Sequence, residues 1–420
     1  MRAVKRPLVL LTLALCPFLA AQDAPLTIER AVELALTRNE RAAIADTTVE
    51  AAEARVRRAR TAFFPRLDIS GTLGTDIGNG SERDLSTSAQ LTQPLFDARV
   101  FPLYRQQRFE RDAARFNAED TRRVLGFDAA VSFLTTLSFE QVLLAAQRRR
   151  DFAQTNLDDV RARFEAGLVS SNDVTRAELE LATAVRELAQ ATGDVQASRV
   201  ELETLLKTEV AGPLAPPVAL LDAADDPPSS GDGAIAAAQG RRSDIAAIRA
   251  RVEALRAFAD EPNARFFPSV QLNAQTRNIN DGPITNRNNE GFVGVSFAWP
   301  VFDAGVRGAE RAERTANVRG AELLLELELR DVEREFRSAS VQLTTEQASL
   351  REAVAAVRAA RKNTDETSIL YREGLASALE LADATQQLFE AEVAEVTARY
   401  RMAVAYLSLR EASGVTPIAP

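Results

Sequence analysis

Polar and apolar residues alternate with period two in two separate stretches of this chain. After Pro65, Leu67, Ile69, Leu73 and Ile77 alternate with Asp68, Ser70, Thr72 and Asp76. Beyond Gly78-Asn79-Gly80-Ser81, Leu85, Thr87, Ala89 and Leu91 alternate with Ser86, Ser88, Gln90 and Thr92. Alternation interrupted by a turn predicts a strand hairpin over 66–96, with strands about 10 residues long. A second hairpin is predicted over 269–302. There Val270, Leu272 and Ala274 alternate with Gln271, Asn273 and Gln275, and an Asn/Gly-rich stretch follows at 278–291. Val293, Val295, Phe297 and Trp299 then face one way and small Gly294, Ser296 and Ala298 the other.

The remaining text reads as helix. No proline interrupts residues 103–212 or 301–416. From Arg99 to Glu165 a single helix would span roughly 100 Å at 1.5 Å per residue, far beyond the width of a compact domain. Leu125, Ala129, Leu134, Leu137, Val142 and Leu144 form only a thin seam at three- and four-residue spacings. Helices with so narrow an apolar stripe pack side by side, as coiled coils do.

The design is written twice. Phe63-Phe64-Pro65-Arg66-Leu67 returns as Phe266-Phe267-Pro268-Ser269-Val270, an offset of 203. Gln93-Pro94-Leu95-Phe96-Asp97-Ala98 returns as Trp299-Pro300-Val301-Phe302-Asp303-Ala304, an offset of 206, and Phe164-Glu165-Ala166-Gly167 as Tyr371-Arg372-Glu373-Gly374, an offset of 207. Three landmarks in one order define two structural repeats, 22–208 and 234–413, followed by a tail at 414–420. Between them, 209–233 is rich in Pro, Asp, Ser and Gly and reads as a linker, either a loose connection or a segment packed around the waist of the molecule.

Composition narrows the chemistry. The chain has 420 residues, 26% charged, a formal charge of -9 and no histidine. A His-based triad, His-ligated zinc or His-ligated haem is therefore excluded, and the acidic balance argues against nucleic acid as a partner. Neither a nucleophile elbow nor a paired-carboxylate context stands out, so no enzyme activity and no cofactor are expected. Residues 1–21 carry Arg2, Lys5 and Arg6, an apolar run and Ala20-Ala21, the pattern of a secretory signal peptide. The only cysteine, Cys16, lies inside it; lipidation at Cys16 and a buried N-terminal helix are the alternatives. No further run of about 18 apolar residues is apparent, so a membrane-spanning form of this chain would be a barrel.

A sheet in lipid tolerates no open edge, and four strands cannot close alone. Two chains would make a filled eight-stranded barrel, whereas three make twelve strands and leave a lumen. Ser70, Thr72, Ser86, Ser88, Gln90, Thr92, Asn273 and Gln275 suit water; Leu67, Ile69, Leu91, Val293, Val295 and Phe297 suit lipid. Phe63, Phe64, Phe96, Phe266, Phe267, Trp299 and Phe302 cluster where strands meet helices, as an interfacial aromatic belt or as junction packing. A soluble periplasmic coiled-coil scaffold, its hairpins mere loops, is the alternative function.

These residues resemble the TolC family of outer-membrane efflux and secretion channels over nearly the whole chain beyond residue 21. The likeness extends to Leu26-Thr27-Ile28-Glu29-Arg30-Ala31, Ala35-Leu36 and Asn39, although Glu40 stands where the family often has proline. The resemblance implies a mainly α chain with β, forming a trimeric cylinder in the outer membrane and periplasm: a 12-stranded transmembrane barrel continued by an α-helical barrel. It implies a passive export duct, with a homotrimer, a periplasmic adaptor, an inner-membrane RND or ABC transporter and outer-membrane lipid as partners. Adaptor docking is implied at the helix-to-helix turns Gly167, Leu168, Val169 and Ser170 and Gly374, Leu375, Ala376 and Ser377. Asp173 and Tyr371 match a gate-locking pair, and Glu380 and Asp383 a constricting ring whose mutual repulsion raises some carboxyl pKa values. Ala376 stands where the family has an arginine, so one locking contact is missing from the pattern.

Overall fold

The computed structural model describes residues 25–75, 83–226, 232–281 and 286–418. The signal segment with Cys16 and the turn at Gly78–Ser81 lie outside them. Helices α1 (Ile28–Arg38) and α2 (Glu40–Arg60) lead into strands β1 (Arg66–Thr75) and β2 (Arg83–Phe96). The long α3 (Val100–Glu165) then runs out and α4 (Ser171–Leu206) returns. Helices α5 (Val218–Asp225), α6 (Asp232–Arg241), α7 (Ser243–Ala259) and α8 (Glu261–Ala264) follow. Strands β3 (Ser269–Asp281) and β4 (Asn286–Ala298) and helices α9 (Val306–Arg372) and α10 (Ala378–Ala412) repeat the plan. At 66 and 67 residues, α3 and α9 each span roughly 100 Å, as the proline-free stretches predict.

The four strands form one antiparallel sheet in the order β1-β2-β3-β4. Pairing of β2 with β3 joins the two repeats, leaving β1 and β4 as edges. Leu67, Leu91, Ala274 and Val293 lie in one cross-strand row, as do Leu272 and Val295, and Val270 and Phe297. They share the apolar face, where Leu67, Ile69, Val293, Val295 and Phe297 are exposed. Asp68, Gln90 and Gln275 line up across the opposite, polar face. Phe292 completes that polar row, and its ring lies over Gly294, 2.5 Å from where a Cβ would stand. The strands have 10, 14, 13 and 13 residues, three of them longer than expected.

The largest core gathers α1, α3, α4 and α10 around Leu125, Phe133, Leu134, Leu202, Leu206 and Leu407, all fully enclosed. One finding corrects the sequence reading. Within α3 an 18-residue window is apolar enough to cross a membrane by length and composition. Of that window 44% is buried inside the chain.

The expected linker also holds more structure than its prolines suggest. Leu26 and Leu214 form a parallel bridge, with Leu26 N–H donating to Pro213 O at 3.2 Å and Ala215 N–H to Leu26 O at 2.9 Å. Pro217 then opens α5, whose buried Ala224 packs into a second core with Val332, Phe336 and Leu343 of α9. Gln347 of α9 donates to Ala224 O at 2.8 Å, tying this segment to the helices around the waist.

Candidate functional site at the helical tips

The α3–α4 and α9–α10 turns are built alike. Gly167 and Gly374 have φ of +74° and +76°, the left-handed conformation that lacks strain only for residues without a Cβ. Leu168 N–H reaches back to Arg163 O at 2.9 Å and Leu375 N–H to Leu370 O at 2.8 Å. Gly167 and Gly374 N–H bond to Phe164 O and Tyr371 O at 2.9 and 3.1 Å. Both helices thus end in Schellman motifs, which satisfy carbonyls a helix end would otherwise orphan. Leu168 and Leu375 project from the turns at 74% and 76% exposure. Val169 and Ala376 instead pack partly against a small core of Leu157, Val160, Ala177, Tyr371 and Leu381, to which all four long helices contribute.

Each returning helix starts with a capping box. Ser170 N–H and Oγ–H donate to Asp173 Oδ2 at 3.0 and 2.8 Å, while Asp173 N–H returns to Ser170 Oγ at 3.4 Å. At the second tip, Ser377 N–H and Oγ–H donate to Glu380 Oε2 at 2.6 and 2.9 Å, and Glu380 N–H to Ser377 Oγ at 3.2 Å. Reciprocal bonds of this kind fix the helix entry. The Ser377 amide, with its hydroxyl, holds the Glu380 carboxyl below the usual range. Within one chain Glu380 therefore has the opposite shift from the one expected of a repelling ring. Asp383, one turn on and also exposed, accepts from Gln387 Nε2 at 2.9 Å.

No hydrogen bond joins Asp173 to Tyr371 in this conformation, because Asp173 is occupied by its cap. The Tyr371 hydroxyl is buried without a partner among the described residues. Burial pushes the phenol pKa up, Arg163 opposes this from 5.4 Å over the ring, and the Asp173 charge adds to the rise. A buried donor left unpaired costs about 1–3 kcal/mol, so Tyr371 is poised to gain from any rearrangement that brings an acceptor.

Above the tips, polar contacts cross from the α3–α4 hairpin to the α9–α10 hairpin. Arg149 of α3 pairs with Glu187 of α4 and stacks 4.9 Å over the Phe389 ring of α10. Glu392 of α10 is held at 3.0 Å by Arg148 of α3 and at 3.0 Å by Arg361 of α9. Thr385 of α10 lies 3.1 Å from Glu180 of α4, a carboxyl only 9% exposed. The sequence reading missed this pair, since residues 205 apart give no local signal.

At the other end, Phe64, Phe96, Phe266, Phe267, Trp299 and Phe302 are exposed at the strand–helix junctions, whereas Phe63 turns inward onto Phe101 and Tyr104 of α3. Trp299 Nε1–H donates to Phe266 O at 2.9 Å, and Arg307 stacks 4.3 Å over the Phe266 ring. The junctions also reuse one acid. Asp97 accepts from the backbone N–H and guanidinium of Arg99, and Asp303 from those of Arg307.

The sequence profile of the family described as Outer membrane efflux protein matches residues 31–207 and 234–415. The chain belongs to that family. It is 23% identical to outer membrane protein TolC of Escherichia coli (strain K12) over 387 residues, covering 87% of this chain and 77% of that protein. It is 26% identical to the cobalt-zinc-cadmium resistance protein CzcC of Cupriavidus metallidurans over 385 residues, covering 88% and 85%. Among solved structures, CusC superposes with a TM-score of 0.81 at 18% identity, covering 92% of both chains. The open state of the Neisseria gonorrhoeae MtrE outer membrane channel gives 0.79 at 19% identity, covering 92% and 89%. This outer membrane efflux protein thus has the expected TolC-like fold and is a non-enzymatic efflux or secretion channel of the outer membrane. Family membership sets aside the soluble scaffold. Channels of this family generally form trimers and work with efflux pumps.

Proposed function

We propose that three copies of this chain close a twelve-stranded barrel in the outer membrane, continued by an α-helical tube whose far end carries the two turns. The open sheet supports this reading. Among the described residues its β1 and β4 edges are unpaired and its apolar face is bare, and edge amides in lipid each cost several kcal/mol until a neighbour supplies partners. The polar face then lines the lumen, and the aromatic cluster marks the membrane boundary.

Leu168 and Leu375, held outward by paired Schellman turns, form the docking knobs for a periplasmic adaptor, through which an inner-membrane RND or ABC transporter delivers cargo. Asp173, Tyr371, Glu380 and Asp383 make up the gate. Glu380 and Asp383, three apart on one face of α10, bring six carboxylates near the axis of a trimer, a ring that admits cations and repels anions.

The test is directional crosslinking. Single cysteines placed along β1 and along β4, in a chain whose one natural cysteine is Cys16 replaced by Ser, should oxidise between chains and yield a covalent trimer in detergent. A β1–β4 disulfide within a monomer would overturn the assembly.

A further inference from the structure

We propose that Glu180 is a proton-operated latch between the two helical hairpins: as a neutral acid it donates to Thr385 and holds α4 against α10, and its ionisation releases that seam. The inference deepens the channel reading by adding a control on how readily the tip opens.

The argument rests on counting protons. Thr385 Oγ1 lies 2.6 Å from Leu381 O, 3.0 Å from Ala382 O and 3.1 Å from Glu180 Oε1. A hydroxyl has one proton, and a backbone carbonyl can only accept. The closest contact, to Leu381 O, claims the Thr385 proton. The Glu180 contact is then a hydrogen bond only if Glu180 supplies the proton. Were Glu180 ionised, Thr385 would have to abandon Leu381 and would offer a mostly buried carboxylate a single donor, an arrangement that disfavours the charge.

Among the described residues no cation is hydrogen-bonded to that carboxyl, although Arg149, whose Nε is buried without a partner, acts on it by charge. Arg149 of α3 is the closest in effect, but it is paired with Glu187 of α4 and stacked on Phe389. Arg148 of α3 and Arg361 of α9 are both engaged by Glu392 of α10. Asp365 of α9 lines the same 230 Å³ cavity as Thr385 and adds only negative charge. The single proton of Thr364 of α9 is engaged by Ala384 O at 2.9 Å or Ala360 O at 3.0 Å, so none is left for Glu180. Burial accordingly pushes the Glu180 carboxyl above its usual range, against the opposing charge of Arg149.

The sign follows. A carboxyl whose folded value is raised contributes full stabilisation below its ordinary range near 4, and that contribution is lost as pH rises through the raised value. Acid should therefore tighten the seam and alkali loosen it. The chain has no histidine, so few other side chains change charge between about pH 5 and pH 8. Glu411, also raised by burial, lies near the opposite end of α10 and is separated by its position.

The test is hydrogen exchange by mass spectrometry on the full-length protein in detergent at about pH 5 and pH 8, corrected for intrinsic exchange. Peptides covering 177–187 and 381–392 should lose protection at the higher pH in wild type. Glu180→Gln, permanently neutral and still a donor, should keep them protected at both. Thr385→Val should lower protection at the acid end and shrink the difference. A wild type without the pH step, or a Glu180→Gln chain that retains it, overturns the latch. Because these peptides report the seam within one chain, failure here is distinguishable from failure of barrel closure, which the crosslinks read.

Discussion

Replacing Gly374 by alanine tests whether the tip is set by backbone conformation. A Cβ at Gly374 meets nothing within 4 Å, so the substitution adds no clash, and the whole effect falls on φ of +76°. Holding an L-residue there costs about 1–2 kcal/mol. If that cost is released by local opening of the turn, the Leu375 amide, bonded to Leu370 O, should exchange roughly 5- to 30-fold faster. Gly374→Asn should recover part of the protection, because asparagine tolerates the left-handed region. Gly167→Ala should behave in the same way at the other tip and leave Leu375 untouched. The assay is residue-resolved hydrogen exchange, with circular dichroism confirming that the helices persist. Equal Leu375 exchange in wild type and both Gly374 variants would refute the backbone argument, and equal loss in the Ala and Asn variants would point to packing instead.

Glu380→Gln with Asp383→Asn should weaken cation selectivity in planar bilayers; unchanged reversal potentials would remove these residues from the gate. Arg242, 10% exposed and bonded to both Asp244 and Glu335, anchors the start of α7, and Arg242→Ala should cost about 2–3 kcal/mol in denaturant unfolding, discounted for the partly exposed partners. Burial pushes the Asp244 carboxyl up, yet its bonds to Arg242 hold it below the usual range, so its stabilisation is present above about pH 4 and lost as pH falls through the lowered value. The Arg242→Ala chain should accordingly show a shallower acid limb than wild type. Trp299 is the chain's sole tryptophan, so brominated lipids should quench its fluorescence most strongly when the bromines lie near the headgroups; quenching deepest in the bilayer would remove it from the interface.

The hairpins were legible because period two is written along all four strands, apolar on one face and polar on the other. The tips were legible because a glycine and a helix-capping serine recur 207 residues apart, leaving the same physical trace in both repeats. Asp173 and Glu380 were singled out by resemblance, and their bonds to Ser170 and Ser377 went unread, although serine followed three residues later by an acid is the signature of a capping box. Phe292 escaped because alternation marks a face and not its exceptions; only the bare Gly294 beside it leaves room for a ring. Helix α5 hid among prolines, one of which opens it. The apolar window of α3 was passed over as a thin seam, since the sequence does not say how many neighbours surround a helix. The Glu180–Thr385 contact lies beyond any local pattern, because only folding brings α4 to α10.

The order β1-β2-β3-β4 places the start of one repeat and the end of the other at opposite borders of the sheet. In the proposed ring, contact between copies is then head to tail, joining unlike surfaces, so a pair always keeps one β1 border and one β4 border unused. A subunit whose β1 border is blocked by proline could still attach through β4, yet could never complete a ring. Co-expressed with the intact chain, it would behave as a poison, disabling assemblies out of proportion to its own abundance.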